Sequence, residues 1–310
     1  MKISIDQLPK RIVLSRKGSD SAWGGSPSLI VGNEMISLPI PEHSDKGEAC
    51  SKHRKYSDLP PHKVIGQYFS YLPNLKSKGQ ACVHLDPDIR LNLRPKDARG
   101  SKLLFGQSGA AEGHLRNQKI GNGDLFLFFG WFREHLQGTE RYVPMPYSAD
   151  QHVFWGWFQV DERHELEGLN RGHKLQELYG HHPHVNRLGD SAKKDSLYIA
   201  TSKLSFSKSS PGAGVFSYSP SRVLSRRCEF TKNRTEWCLP EFFQETELTY
   251  NKKSLGRHHS CGKDKTRIHF NAANIGQEFI FPGDKSKTLQ DFPKGVQSRV
   301  AAWLEAVFAK

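Results

Sequence analysis

The chain has 310 residues and five cysteines (Cys50, Cys82, Cys228, Cys238 and Cys261), none in a CxxC pair, so it can bury its own core without a disulfide framework, and reduced thiols are expected. Lysine and arginine total 45 against 32 acidic residues, a formal charge of +13 that favours polyanionic partners such as nucleic acid. Asp6, Lys10 and Arg11 interrupt the first apolar stretch, and no segment approaches the roughly 18 uninterrupted apolar residues of a membrane span; a signal peptide and a membrane partner are both excluded, and a cytoplasmic location is expected.

In chain order, Ile3-Ser4-Ile5 and Arg11-Ile12-Val13-Leu14 read as short strands, followed by a Gly/Ser-rich loop from Ser15 to Pro27. Glycine freedom in that loop lets backbone amides approach a phosphate, with Ser15, Arg16, Lys17 and Ser21 as substrate-binding candidates and Asp20 as a catalytic one. The GxxxxGK[ST] spacing of a P-loop is absent. Ser28–Val31 and Met35–Leu38, joined by Gly32-Asn33-Glu34, predict a hairpin that Pro39 and Pro41 terminate. Mixed helix and loop are expected over Ser57–Leu75.

Cys82-Val83-His84-Leu85 leads into Asp86-Pro87-Asp88, where proline forces a turn. In an extended segment His84, Asp86 and Asp88 share one side, the arrangement that acid, base or metal-ligand chemistry needs. The stretch Phe105–Gln118 is rich in groups that hydrogen-bond base edges: Gln107, Arg116 and Asn117 are candidates for substrate binding, while Ser108 with His114 forms a weaker nucleophile–base pair lacking a GxSxG elbow. Gly123-Asp124 makes a tight turn into Leu125–Phe132, which is apolar on both faces and reads as a buried strand; Val153–Val160 and Ser196–Ala200 follow in the same manner. Trp131, Trp155 and Trp157 are assigned to the core. Two histidine clusters, His181-His182-Pro183-His184 and His258-His259-Ser260-Cys261, lack paired ligand spacing and are read as polar loops, so no metal is assigned and the cofactor is left open. Residues 201–270 hold 13 Lys/Arg against 6 Asp/Glu, read as a phosphate-contacting face. Val296, Val300, Trp303, Leu304, Val307 and Phe308 recur at helical intervals and predict a terminal amphipathic helix. The class expected is α+β, a single domain over 1–310 with a mainly antiparallel, partly closed central sheet and flanking helices.

Leu14–Gly18 with Asp20-Ser21 and Gly24-Gly25, Leu38–Pro41, His84–Asp88, Phe105–Ala111, Asn117-Gln118 and Gly123–Phe132 together resemble the nucleotide modification associated domain 3 family, over nearly the whole chain. The resemblance implies a bacterial or phage protein connected with modification of nucleic-acid or nucleotide bases, DNA included, either as the enzyme or as an accessory subunit, with no reaction carried over. A looser likeness of the region 100–200 is to the modified-base-binding domains of the PUA, ASCH and EVE kind. It implies the alternative of a non-catalytic module that binds a modified base, with Asn117, Asp124 and Trp131 near the pocket.

Overall fold

The computed structural model describes residues 2–21, 24–41, 82–94, 98, 100–137, 142–189, 194–225, 233–245, 260–261, 264–272 and 278–309. The expectations for Ser57–Leu75 and His258-His259 lie outside these residues, as does much of the basic stretch 201–270.

Alternating bulky residues build the centre. Strands β1 (Ile12–Arg16), β2 (Ser28–Val31) and β3 (Glu34–Ile36) come first, then the two-residue pair β4 (Ile40–Pro41) and β5 (Val83–His84), then β6 (Leu104–Ser108) running into helix α1 (Gly109–Asn117). Two long strands follow, β7 (Leu125–Gln137), with the short β8 (Tyr142–Pro144) after it, and β9 (Gln151–Glu165). Short helices α2 (Lys174–Tyr179) and α3 (Pro183–Asn186) lead to β10 (Asp195–Ala200), β11 (Lys203–Leu204), β12 (Ser207–Pro211) and β13 (Ala213–Val215). The chain closes through β14 (Glu236–Pro240), β15 (Ser260–Cys261), β16 (Asp264–Asn271), β17 (Glu278–Phe281) and helix α4 (Lys294–Phe308).

The main sheet runs β17-β1-β7-β9-β10-β6 and curls into a half-barrel. The three aromatic stretches are antiparallel neighbours, β7 against β9 and β9 against β10. The pairings of β1 and β2 with β7 are parallel, a departure from the hairpin-only order that sequential pairing predicts. Gly123 (φ +88°) makes the turn that launches β7, a conformation that side-chain-bearing residues avoid. The hairpin of β2 and β3 is present. Ile3–Ile5 does not form a strand: a 3-10 turn spans Ile5–Gln7, and the Ile3 amide donates to Glu305 on α4 at 2.6 Å.

Because side chains alternate across a strand, the sheet serves two cores. Phe105 and Tyr198 point into the large aromatic core with Phe126, Phe128 and Phe158, ring centroids 5.1–6.0 Å from Phe105. Leu104, Leu197 and Ile199, on the opposite face of β6 and β10, meet Leu166, Leu175, Val185 and Leu188 in a second cluster beneath α2 and α3. Helix α4 buries Val296, Val300, Leu304 and Val307 as its periodicity predicts. Trp155 is a core residue; Trp157 is partly buried with its indole on the Pro211 carbonyl; Trp131 is half-buried with the Arg234 guanidinium 4.1 Å from its ring centroid. The expectation of reduced thiols fails for Cys82 and Cys238, which are both disulfide-bonded, and cysteine usage therefore carries no argument about compartment. No described helix is long and apolar enough to cross a membrane.

Candidate functional site

The site is built where the β4–β5 ladder, the turn after it and the histidine helix α3 meet the end of β6. Ile40 pairs with His84, and the chain then turns through a cis Asp86–Pro87 bond before Asp88 bridges to Leu104. The turn delivers Asp86 to β6, where the Gly106 amide donates to its Oδ1 at 2.7 Å. Gly106 leaves room for more than that contact: a Cβ there would lie 2.3 Å from Cδ2 of His184, so only glycine lets the α3 imidazole rest on the strand.

Burial of the second cluster, with Val185 and Leu188 inside it, turns the other side of α3 toward Asp86. His182 is fully buried, its Nε2 3.2 Å from Asp86 Oδ1 but outside hydrogen-bonding alignment. His184 holds Nδ1 2.6 Å from Oδ1 of Asp195, and Arg187 binds the other oxygen of that carboxylate at 2.8 Å. The His84 and His184 rings stand 5.2 Å apart edge to face. One nitrogen of each and one oxygen of Asp86 all lie within 4.8 Å of one another, a set able to hold a metal ion.

The electrostatics keep this set chemically ready. Burial works against the Asp86 carboxylate, but the His182 contact, the imidazoles of His184 and His182, and the Lys17 ammonium outweigh it and hold the carboxyl well below its usual range. Burial, only partly opposed by Asp86, drives His184 far below the ordinary imidazole value, so it is neutral at pH 7. Asp86 also lines a small open cleft whose walls include Gly18, Ser37, Asp88, Arg90 and Trp155.

Several sequence candidates lie elsewhere or act indirectly. Asp88 lines the same cleft as Asp86 but is clamped by Arg94 at 2.8–3.0 Å and touched by His181 at 3.3 Å, and it stands outside the His84–Asp86–His184 donor set. Lys17 is buried, 3.6 Å from Glu278 and 4.6 Å above the Phe105 ring, so it supports Asp86 by charge and is not offered to a phosphate. Gln107 donates to the same Glu278 carboxylate and Ser15 is buried beside it on β1, opposite Glu278 in register. Arg16 lies 3.5 Å from Asp20, which bridges to Gly24, and Ser21 accepts from Arg234 at 2.7 Å. Ser108 stands at the N-cap position of α1 without a side-chain capping bond, and half-buried His114 sits on that helix, its pKa lowered by burial.

The base-reading role expected of residues 108–118 is not what their contacts serve. Glu112 is fully buried, bound by Ser196, Tyr198 and Arg163 at 2.7–2.9 Å, and Arg116 reaches Glu112, Glu165 and Glu167 at 3.6–4.0 Å. Asn117 is exposed at the helix end. Asp124 is 1 % exposed and paired with Arg11 at 2.9 Å, while Trp131 stands seven residues farther along, roughly 20 Å at strand spacing, so the two do not share a pocket.

Sequence reading missed His182, His184, Asp195, Arg90 and Glu278. The histidine cluster was visible, but its reading as a polar loop is corrected by a helix whose His182 and His184 are buried. Glu278 carries no sequence signal of its own; long-range pairing of β17 with β1 places it. No curated protein and no solved structure matches this chain. Residues 11–282 match the model of nucleotide modification associated domain 3, and the chain belongs to that family.

Proposed function

We propose that this protein takes part in modifying bases of nucleic acid or nucleotides, with Asp86 and His84 as its reacting groups. The observation that carries the reading is an ionised Asp86 on the wall of a cleft, with two imidazoles within 4.8 Å, in a member of this family. Gly18 of the first loop and Leu85–Asp88 of the turn line the cleft, and Gly106 donates to Asp86 from β6. Arg90, on the same wall, 5.9 Å from the Trp155 ring and donating to the Met35 carbonyl, is the nearest cation on that wall for a substrate phosphate. The Asp86 carboxylate accepts hydrogen bonds from a bound base or hydroxyl, and the His84 imidazole beside it is a group able to carry a proton to or from it.

The test is mass spectrometry of hydrolysed DNA and RNA from cells carrying the intact gene, no gene, or the Asp86→Asn variant. A nucleoside found only with the intact gene, and lost in the variant at equal levels of folded protein, is the expected result. Identical nucleoside pools in the first two strains would overturn the reading and favour a module that binds a modified base without turnover.

A further inference from the structure

We propose that His84, Asp86 and His184 form a binding site for a divalent first-row transition ion, with open coordination positions on the cleft side. The site stands whether or not base modification is the activity, because it rests on the arrangement of donor atoms alone.

Three observations carry it. The donor atoms come from three separate points of the fold, a strand end, a turn and a helix, yet lie within 4.8 Å of one another. Ligands about 2.1 Å from an ion and on one face of it stand about 3.0–3.6 Å apart, so closure needs side-chain shifts on the order of 1–2 Å. Second, His184 and Asp86 each have one atom already committed and another left for an ion. The Nδ1 of His184 lies 2.6 Å from the Asp195 carboxylate and 3.0 Å from the Arg187 guanidinium, so Nδ1 is engaged by these two groups and Nε2 is the nitrogen left for an ion. Arg187 fixes Asp195 in turn, giving the carboxylate–histidine arrangement by which proteins orient metal-binding imidazoles. Among the described residues Asp86 uses Oδ1 for the Gly106 amide and faces His182 with the same atom, leaving Oδ2.

Third, His182 is 0 % exposed, and among the described residues neither ring nitrogen makes an aligned hydrogen bond, its Nε2 standing 3.2 Å from Asp86 Oδ1. A buried imidazole so weakly partnered beside the ligand set points to a further partner at this spot.

The donor set also selects the ion. Two imidazole nitrogens and one carboxylate oxygen suit iron(II), zinc, cobalt or manganese, whereas magnesium and calcium require mostly oxygen ligands. Two histidines and one carboxylate on one face of an ion leave positions for water and a substrate atom. Asp86, shared between the ligand set and the cleft wall, would bring those positions to a molecule bound in the cleft.

The experiment titrates the full, untagged, chelator-treated chain with Co²⁺, following visible absorption, with metal stoichiometry measured after gel filtration. One equivalent of Co²⁺, displaced by Zn²⁺ but not by a hundredfold excess of Mg²⁺, is expected. Affinity should fall at least 100-fold in His84→Gln and in His184→Gln, and stay unchanged in His164→Gln, an exposed histidine paired with Glu162. If His184→Gln does not fold, half-exposed His84→Gln and a wild-type measurement decide. Proton NMR of the Co²⁺-loaded wild type should show a strongly shifted, slowly exchanging imidazole N–H from buried His184. No saturable binding below 1 mM (about −4 kcal/mol) would overturn the site. So would full affinity in folded His84→Gln, or a Co²⁺-loaded protein without the shifted resonance.

Discussion

Adding one methyl group at Gly106 tests the geometry of the site without altering any polar atom. In Gly106→Ala the new Cβ would fall 2.3 Å from Cδ2, 2.4 Å from Cγ and 2.8 Å from Nε2 of His184. An ordinary contact begins near 3.4 Å, so the ring must retreat by about 1 Å. It cannot do so freely, because Val185 and Leu188 anchor α3 in the second core and Asp195 holds Nδ1 at 2.6 Å. Overpacking of this kind costs about 1–3 kcal/mol, and weakening the imidazole–carboxylate bond adds about 1 kcal/mol, for a loss of about 2–4 kcal/mol. Urea unfolding by circular dichroism measures it, with Gly121→Ala as control, since nothing lies within 4 Å of a Cβ there. Co²⁺ affinity should fall at least tenfold in parallel, as it does when a ligand's orientation is disturbed. A Gly106→Ala protein within 0.5 kcal/mol of wild type and with undiminished affinity would show that His184 does not rest on β6.

Glu278 gives a pH signature. Burial lifts its carboxyl to about 6 despite Lys17, Ser15 and Gln107, from an ordinary value of 4.5. The folded state therefore takes up this proton more readily, so the group adds stability as pH falls from 7 towards 4.5 and removes it as pH rises through 6, about 2 kcal/mol in all. Glu278→Gln should erase that component in paired urea titrations at pH 7.5 and 4.5, and be at least as stable as wild type at the higher pH; an unchanged difference between the two pH values would refute it. Arg11→Met leaves Asp124, 1 % exposed, without its guanidinium and should cost about 3–5 kcal/mol in calorimetry; a loss under 1 kcal/mol would argue that the pair is not a buried support. Exposed Gly295 lies in the first turn of α4 with open space around it, so Gly295→Ala should raise stability by about 0.4–1 kcal/mol, seen as a higher urea midpoint.

Strands β7, β9 and β10 were legible because residues apolar on both faces leave few alternatives to a buried sheet, and α4 because its apolar period is helical over four turns. Ile3-Ser4-Ile5 was too short a pattern: three alternating residues do not outweigh the contact of Ile3 with Glu305, and the chain turns instead. The parallel seating of β1 on β7 depends on residues more than a hundred positions apart, which local pattern does not encode. At the site, His84 and Asp86 were found through their proximity in sequence. His184 was seen but set aside, because ligand-spacing rules search within one segment and this set spans two, a hundred residues apart. Phe105–Gln118 misled for a different reason. Gln107 and Glu112 are directed inward, to Glu278 and Tyr198, while Asn117 is exposed, and polarity alone does not tell an inward-facing network from a recognition surface.

The division of the sheet between two cores has a consequence for motion. Among the described residues, the apolar cluster that ties α2 and α3 to the back of β6 and β10 holds seven buried residues, whereas the front of the same strands belongs to the large aromatic core. Opening free energies follow the apolar surface at stake, so the small cluster should release first. Native-state hydrogen exchange would then show α3 amides exchanging by a subglobal opening while β7 and β9 exchange only on complete unfolding. Such an opening would carry His182 and His184 away from Asp86 and dissolve the site inside an otherwise intact molecule, making the life of the site shorter than the life of the fold.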